Sequence, residues 1–116
     1  VDSPTSYLLA TIRLCGAAIV VPVMEELFWR SFVLRYLISS RFETIPIGTF
    51  RPFSFVAVVA LFGVEHDLWL AGMLAGAAYG LLLVKTRNLW TCIAAHAVTN
   101  FALGIHVLIT KEWSWW

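Results

Sequence analysis

Apolar residues run from Tyr7 to Met24 with Arg13 as the only charge among them. About 18 residues is close to the minimum for a membrane span. A polar lead, Val1–Ser6, precedes it, and Ser3-Pro4-Thr5 suits a helix start. Pro22 removes a backbone hydrogen bond and is expected to kink this helix. The pattern continues beyond Pro22, through Arg30 to Ile38. At ~1.5 Å per residue the whole stretch is longer than the ~30 Å hydrocarbon layer, so its second half must leave, tilt or bend. Ser39–Pro52 collects charges, prolines and a glycine and reads as a loop. Phe53–Val64 is apolar but too short to span alone, and it ends in Glu65-His66-Asp67. Leu68–Val84 is a further apolar helix. In it Gly72, Gly76 and Gly80 recur every fourth residue, a small-residue face that lets another helix approach. Lys85–Asn88 is a tight basic turn. Leu89–Ile109 is the cleanest span, free of formal charge. Trp113, Trp115 and Trp116 near the end suit the aromatic belt of a membrane interface.

This pattern predicts an all-α, polytopic transmembrane helical bundle with about four membrane segments, one of them short. Composition agrees: 60% of the 116 residues are hydrophobic and only 13% charged, and the mean hydropathy is +0.83. Soluble domains average nearer ~25% charged. One domain, residues 1–116, is expected. The net charge of +1 carries no basic run, so nucleic acid is not an expected partner. Cys15 and Cys92 both fall in apolar segments and read as small core residues. If every segment crosses, Arg41, Arg51, Lys85 and Arg87 share one side, while Asp2, the Glu65–Asp67 corner and Lys111-Glu112 share the other. The excess of basic residues then places the loops 39–52 and 85–88 in the cytoplasm.

Charged residues inside an apolar helix are costly. Each costs roughly 2.5–3.5 kcal/mol at the centre of a membrane helix on insertion scales. Glu25, Glu26 and Arg30 stand within six residues of one another. On a helix Glu26 and Arg30 are an i,i+4 pair and can neutralise each other. Glu25 is rotated about 100° away and has no local basic partner, which suits a proton acceptor. Two other helices bring polar groups to an apolar bundle. His66 shares a helix face with Phe62, and His96 shares one with Asn100. Small residues around His96 (Ala94, Ala95 and Ala97) leave room for neighbouring backbones. A lone histidine on an apolar face more often satisfies a core contact than catalyses. Three helices that each carry polar groups at membrane depth point to function. His106 lies off the His96 face and is a poorer candidate. Glu65 and Asp67 read as a solvated corner.

A carboxylate and a histidine can polarise a water, and a histidine with an asparagine amide can donate to an oxyanion. His and Glu are also common zinc ligands. No HExxH, no GxSxG and no nucleophilic cysteine setting is present, which disfavours zincins and serine proteases.

Taken in order, Glu25-Glu26-x-x-x-Arg30, Phe62-x-x-x-His66 and His96-x-x-x-Asn100 resemble the three-motif signature of the CPBP family. That family comprises the type II CAAX prenyl endoproteases and the bacterial bacteriocin-processing and self-immunity (Abi) proteins. The resemblance covers about Pro22 to Phe101, and the Trp-rich end is similar to bacterial CAAX-protease-related proteins of exosortase systems. It implies an intramembrane endopeptidase of the bacterial cytoplasmic membrane. Such an enzyme cuts near the C-terminus of a membrane-anchored or prenylated, CAAX-like substrate. By the family pattern Glu25 is the general base and His66 positions the water. His96 and Asn100 stabilise the oxyanion, the Glu26–Arg30 pair is structural, and Phe62 packs beside His66. Family members carry more membrane helices, so the chain is expected to be the catalytic core of a larger bundle. The cofactor stays open between none and a divalent metal such as zinc. The same residues also fit a non-catalytic immunity or scaffold protein, or a proton path. A relay strings its groups across the bilayer, whereas an active site gathers them at one depth.

Overall fold

A computed structural model describes residues 3–116; Asp2, counted above with one side of the membrane, lies outside them. Helix α1 runs Pro4–Tyr36, α2 Pro52–Val64, α3 Trp69–Thr86 and α4 Leu89–Thr110. Short 3-10 turns follow at Phe42–Thr44 and Trp113–Trp115. The protein is an all-α bundle. Helices α1, α3 and α4 are long and apolar enough to cross a membrane, and α2 is the shorter apolar helix.

Local chemistry sets the helix ends. Ser3 accepts the Ser6 N–H at 3.3 Å and Pro4 follows it, as expected of this lead. Pro52 opens α2, and Asn88 caps α4 by accepting the Trp90 N–H at 3.0 Å. Arg87 and Lys111 stop α3 and α4 in the left-handed conformation, with φ of 55° and 61°. The loop 39–52 is tied back to α1 through Arg35, whose Nη1 donates to the Ile45 carbonyl at 2.9 Å.

Helix α1 has 33 residues and dominates the 51 Å long axis of the molecule. That exceeds the ~30 Å hydrocarbon layer, as its length requires. The expected break at Pro22 takes a different form. The helix continues, and the turn Gly16–Val20 just before the proline widens to π geometry, with Val21 N–H reaching the Gly16 carbonyl. A second wide stretch, Leu27–Val33, follows the glutamates. Such bulges absorb a local disruption of the i→i−4 ladder and often occur at functional sites.

Much of α1 faces outward, with Leu8, Leu9, Ile12, Ile19, Val20 and Met24 all exposed. An apolar surface of this extent suits lipid. Cys15 lies on this outward half and is exposed, contrary to its reading as a core residue. Cys92 does sit in the core: it is buried with Leu34, Val58 and Leu83, and its thiol donates to the Tyr79 carbonyl at 3.3 Å.

The glycines of α3 are buried where α2 crosses. A Cβ on Gly72 would lie 3.1 Å from Gly63 Cα, and one on Gly80 would lie 2.7 Å from Phe55 Cε2. The small-residue face therefore works as expected, and it also positions the site. A Cβ on Gly76 would stand 3.0 Å from Phe62 and 3.5 Å from Arg30 Nη2.

Candidate active site

Adjacency on α1 gives Glu25 and Glu26 different surroundings. Glu26 points into the bundle and is fully buried, while Glu25 is half-buried. Arg30, one turn on, is buried with Glu26, and its Nη1 lies 3.3 Å from Glu26 Oε1. Arg30 Nη2 donates to the Gly76 carbonyl at 3.1 Å. The guanidinium also lies over the rings of Phe62, at 4.2 Å, and Tyr79, at 5.6 Å. A Cβ at 76 would press on the Phe62 ring at 3.0 Å, while its 3.5 Å to Arg30 Nη2 is ordinary contact.

Glu26 has a second partner that spacing could not reveal. His96 Nδ1 donates to Glu26 Oε1 at 2.8 Å, across a sequence separation of 70 residues. The other ring nitrogen, Nε2, lies 3.8 Å from Glu25 Oε2. His96 is thus held between the two carboxylates, and its ring stacks on Tyr79 at 4.9 Å and 20°. Oε2 of Glu25 and Oε2 of Glu26 are buried and make no hydrogen bond to the protein.

His66 sits where α2 ends. Its Nδ1 lies 2.7 Å from the Phe62 carbonyl. A carbonyl only accepts, so Nδ1 carries the hydrogen and Nε2 presents a lone pair. Phe62 packs beside the His66 ring at 4.6 Å, as the i,i+4 spacing implies. Asn100 donates through Nδ2 to the Ala17 carbonyl of α1 at 2.8 Å. His66, His96 and Asn100 line one cavity of about 390 Å³, together with Phe62, Tyr79 and Thr99. These groups gather at one place in the bundle.

Several side chains differ from their sequence reading. Glu65 is not simply solvated: its Oε2 accepts the Trp29 indole N–H at 2.8 Å, which ties the α2 corner to α1. Arg13, the lone charge of the first apolar run, is held at the C-terminal end of the chain. It donates to the Trp116 carbonyl at 2.6 Å and lies over that indole ring at 4.8 Å. Trp115 and Trp116 fold back to line the cavity, beyond the belt role expected of them. His106 stays exposed and 3.8 Å from Glu112, away from the cavity. Tyr79 was missed. It continues the buried Gly72–Gly76 face by one further turn, a register that pointed at the site.

Metal ligation is testable on the same geometry. Among the described residues, no three His, Cys, Asp or Glu side chains converge as a metal ion requires.

Residues 7–102 match the family model described as type II CAAX prenyl endopeptidase Rce1-like. No curated protein and no solved structure matches the chain.

Proposed function

The chain belongs to the type II CAAX prenyl endopeptidase Rce1-like family, a family of CAAX-type proteases with membrane helices; on that premise we propose that it hydrolyses a peptide bond near the C-terminus of a membrane-anchored or prenylated substrate. The observation that carries this reading is His96 held between Glu25 and Glu26 beside a cavity that His66 and Asn100 also line.

In the proposed reaction the substrate carbonyl enters the cavity among apolar walls that include Leu68, Ala71 and Leu103. Glu25 takes a proton from water as that water attacks the carbonyl carbon. His66 Nε2 accepts the second hydrogen of the same water and fixes its position, because Nδ1 is anchored on Phe62. The carbonyl oxygen becomes an oxyanion. His96, carrying hydrogen on both nitrogens, donates one to Glu26 and the other to the oxyanion. Two carboxylates, one guanidinium and one imidazolium then sum to zero charge, which suits a buried cluster. The amide of Asn100 has two N–H groups, and the one not on Ala17 supplies the second donor. The tetrahedral intermediate collapses, the C–N bond breaks, and Glu25 passes its proton to the leaving amine.

The test is cleavage of a panel of membrane-anchored peptides by the full chain and by Glu25→Gln, each with and without chelator. Loss of a general base removes about 10²–10⁴-fold in rate. The expected result is cleavage by the native chain, a loss of that size in Glu25→Gln, and no response to chelator. Cleavage that survives Glu25→Gln refutes the base assignment, and cleavage abolished by chelator refutes the metal-free route.

A further inference from the structure

The contact between Asn100 and Ala17 has a cause in the α1 backbone. In the wide turn before Glu25, Val21 N–H pairs with the Gly16 carbonyl, five residues back. In that register the Ala17 carbonyl awaits the N–H of residue 22, and residue 22 is proline. Proline has no N–H to give. A backbone carbonyl left without a donor at membrane depth is costly. Asn100 Nδ2 fills the vacancy from α4, at 2.8 Å.

We infer that Asn100 is a positioning residue: it replaces the hydrogen bond that Pro22 deletes and so locks α1 to α4 in the register that sets Glu25 against His96. His96 lies one turn before Asn100, and Glu25 lies three residues after Pro22. The two cross-helix bonds, Asn100 to Ala17 and His96 to Glu26, stand one turn apart on α4. Together they fix both sliding and rotation of α1 on α4. The 3.8 Å gap between Glu25 and His96 depends on that lock. Pro22 itself is buried, so the freed carbonyl is not turned out to lipid. This duty is separate from any donation by the second Asn100 N–H to substrate. The catalytic consequence rests on the function proposed above; the lock itself does not.

The test is a double-substitution cycle on the full chain in detergent. Asn100→Ala is made in the native background and in Pro22→Ala, and Asn100→Asp, which keeps the shape without the donor, serves as a second probe. With alanine at 22 the backbone satisfies Ala17 unaided, from residue 22 in the wide register or residue 21 in a regular one. In the native background the loss of Asn100 should lower Tm by roughly 5–10 °C. In Pro22→Ala the same loss should lower it by less than half as much. The fall in kcat on removing Asn100 should likewise be at least tenfold smaller in Pro22→Ala. Equal Tm losses in the two backgrounds overturn the lock. A coupled Tm with equal kcat losses overturns its role in positioning Glu25. The Tm cycle needs no substrate, so a chain that cleaves nothing refutes the proposed function and still decides the lock.

Discussion

Removing the Glu26 carboxylate should damage this protein more than any other single change at the site. Glu26 is fully buried, and its Oε1 serves both His96 Nδ1, at 2.8 Å, and Arg30 Nη1, at 3.3 Å. Glu26→Ala leaves the Arg30 guanidinium buried with the Gly76 carbonyl and two aromatic faces as its remaining partners. Breaking a buried ion pair from one side costs about 3–5 kcal/mol, because an uncompensated charge stays inside. The ring contacts keep part of the cation's stabilisation, so the lower half of that range is expected, near ~3–4 kcal/mol. The lost His96 bond adds about 1–2 kcal/mol. At ~4–8 °C per kcal/mol for a chain near this size, a loss of ~4–6 kcal/mol should lower Tm by roughly 15–50 °C. Thermal unfolding in detergent, followed by tryptophan fluorescence, reads this directly. A second variant separates charge from volume. Glu26→Leu combined with Arg30→Met removes both members of the buried pair at once and should unfold well above Glu26→Ala, because apolar replacement of a whole pair is often neutral. Its cleavage should still be lost, since nothing then holds His96 Nδ1. A Glu26→Ala chain within ~5 °C of the native Tm, or a double variant as unstable as the two single changes summed, would show that the Glu26–Arg30–His96 cluster does not hold the bundle together.

Three further outcomes follow from local contacts. Gly63→Ala should be strongly destabilising, because its Cβ would meet the Trp69 carbonyl at 2.9 Å and Met73 N at 3.1 Å, backbone atoms that cannot step aside. Overpacking of this kind costs about 1–3 kcal/mol, and the α2–α3 contact carrying His66 would loosen with it. Gly16→Ala, with nothing within 4 Å of its Cβ, should be neutral or raise Tm slightly, and parallel melting curves compare the two. Trp29→Phe deletes the donor to Glu65 and should cost about 1–2 kcal/mol by the same assay. A Trp29→Phe chain with unchanged Tm would mean that the bond does not tie the α2 corner to α1.

Local spacing carried what was legible in the sequence. The spans, the loop, the basic turn and the i,i+4 pairs Glu26–Arg30 and Phe62–His66 all depend on residues close along one helix, where geometry follows from sequence separation. The glycine face of α3 was readable for the same reason. What escaped was contact between distant segments. Nothing in the spacing ties His96 to Glu26, Trp29 to Glu65 or Arg13 to Trp116. Pro22 lies between these cases. Its missing N–H was evident, but where the orphaned carbonyl would find a donor depended on how α4 docks. Cys15 was misread because a uniformly apolar helix does not reveal from its sequence which face meets lipid.

The adjacency of the two glutamates separates their duties. One helical step of about 100° turns Glu26 into the bundle and leaves Glu25 half-buried at the edge of the cluster. The buried carboxylate is occupied by Arg30 and His96, so it is poorly placed to take a proton from a substrate water. The outer one lies 3.8 Å from His96 Nε2, a gap that the ring can close on either Glu25 or a substrate oxygen. His96 therefore depends on Glu26 for its orientation and on Glu25 for its task. A chain with the pair reversed in rotation, by insertion of one residue between Pro22 and Glu25, should fold poorly and cleave nothing. The insertion advances Glu25, Glu26 and Arg30 together by one helical step, so it swings the Glu26 carboxylate away from His96 and the Arg30 guanidinium away from the Gly76 carbonyl.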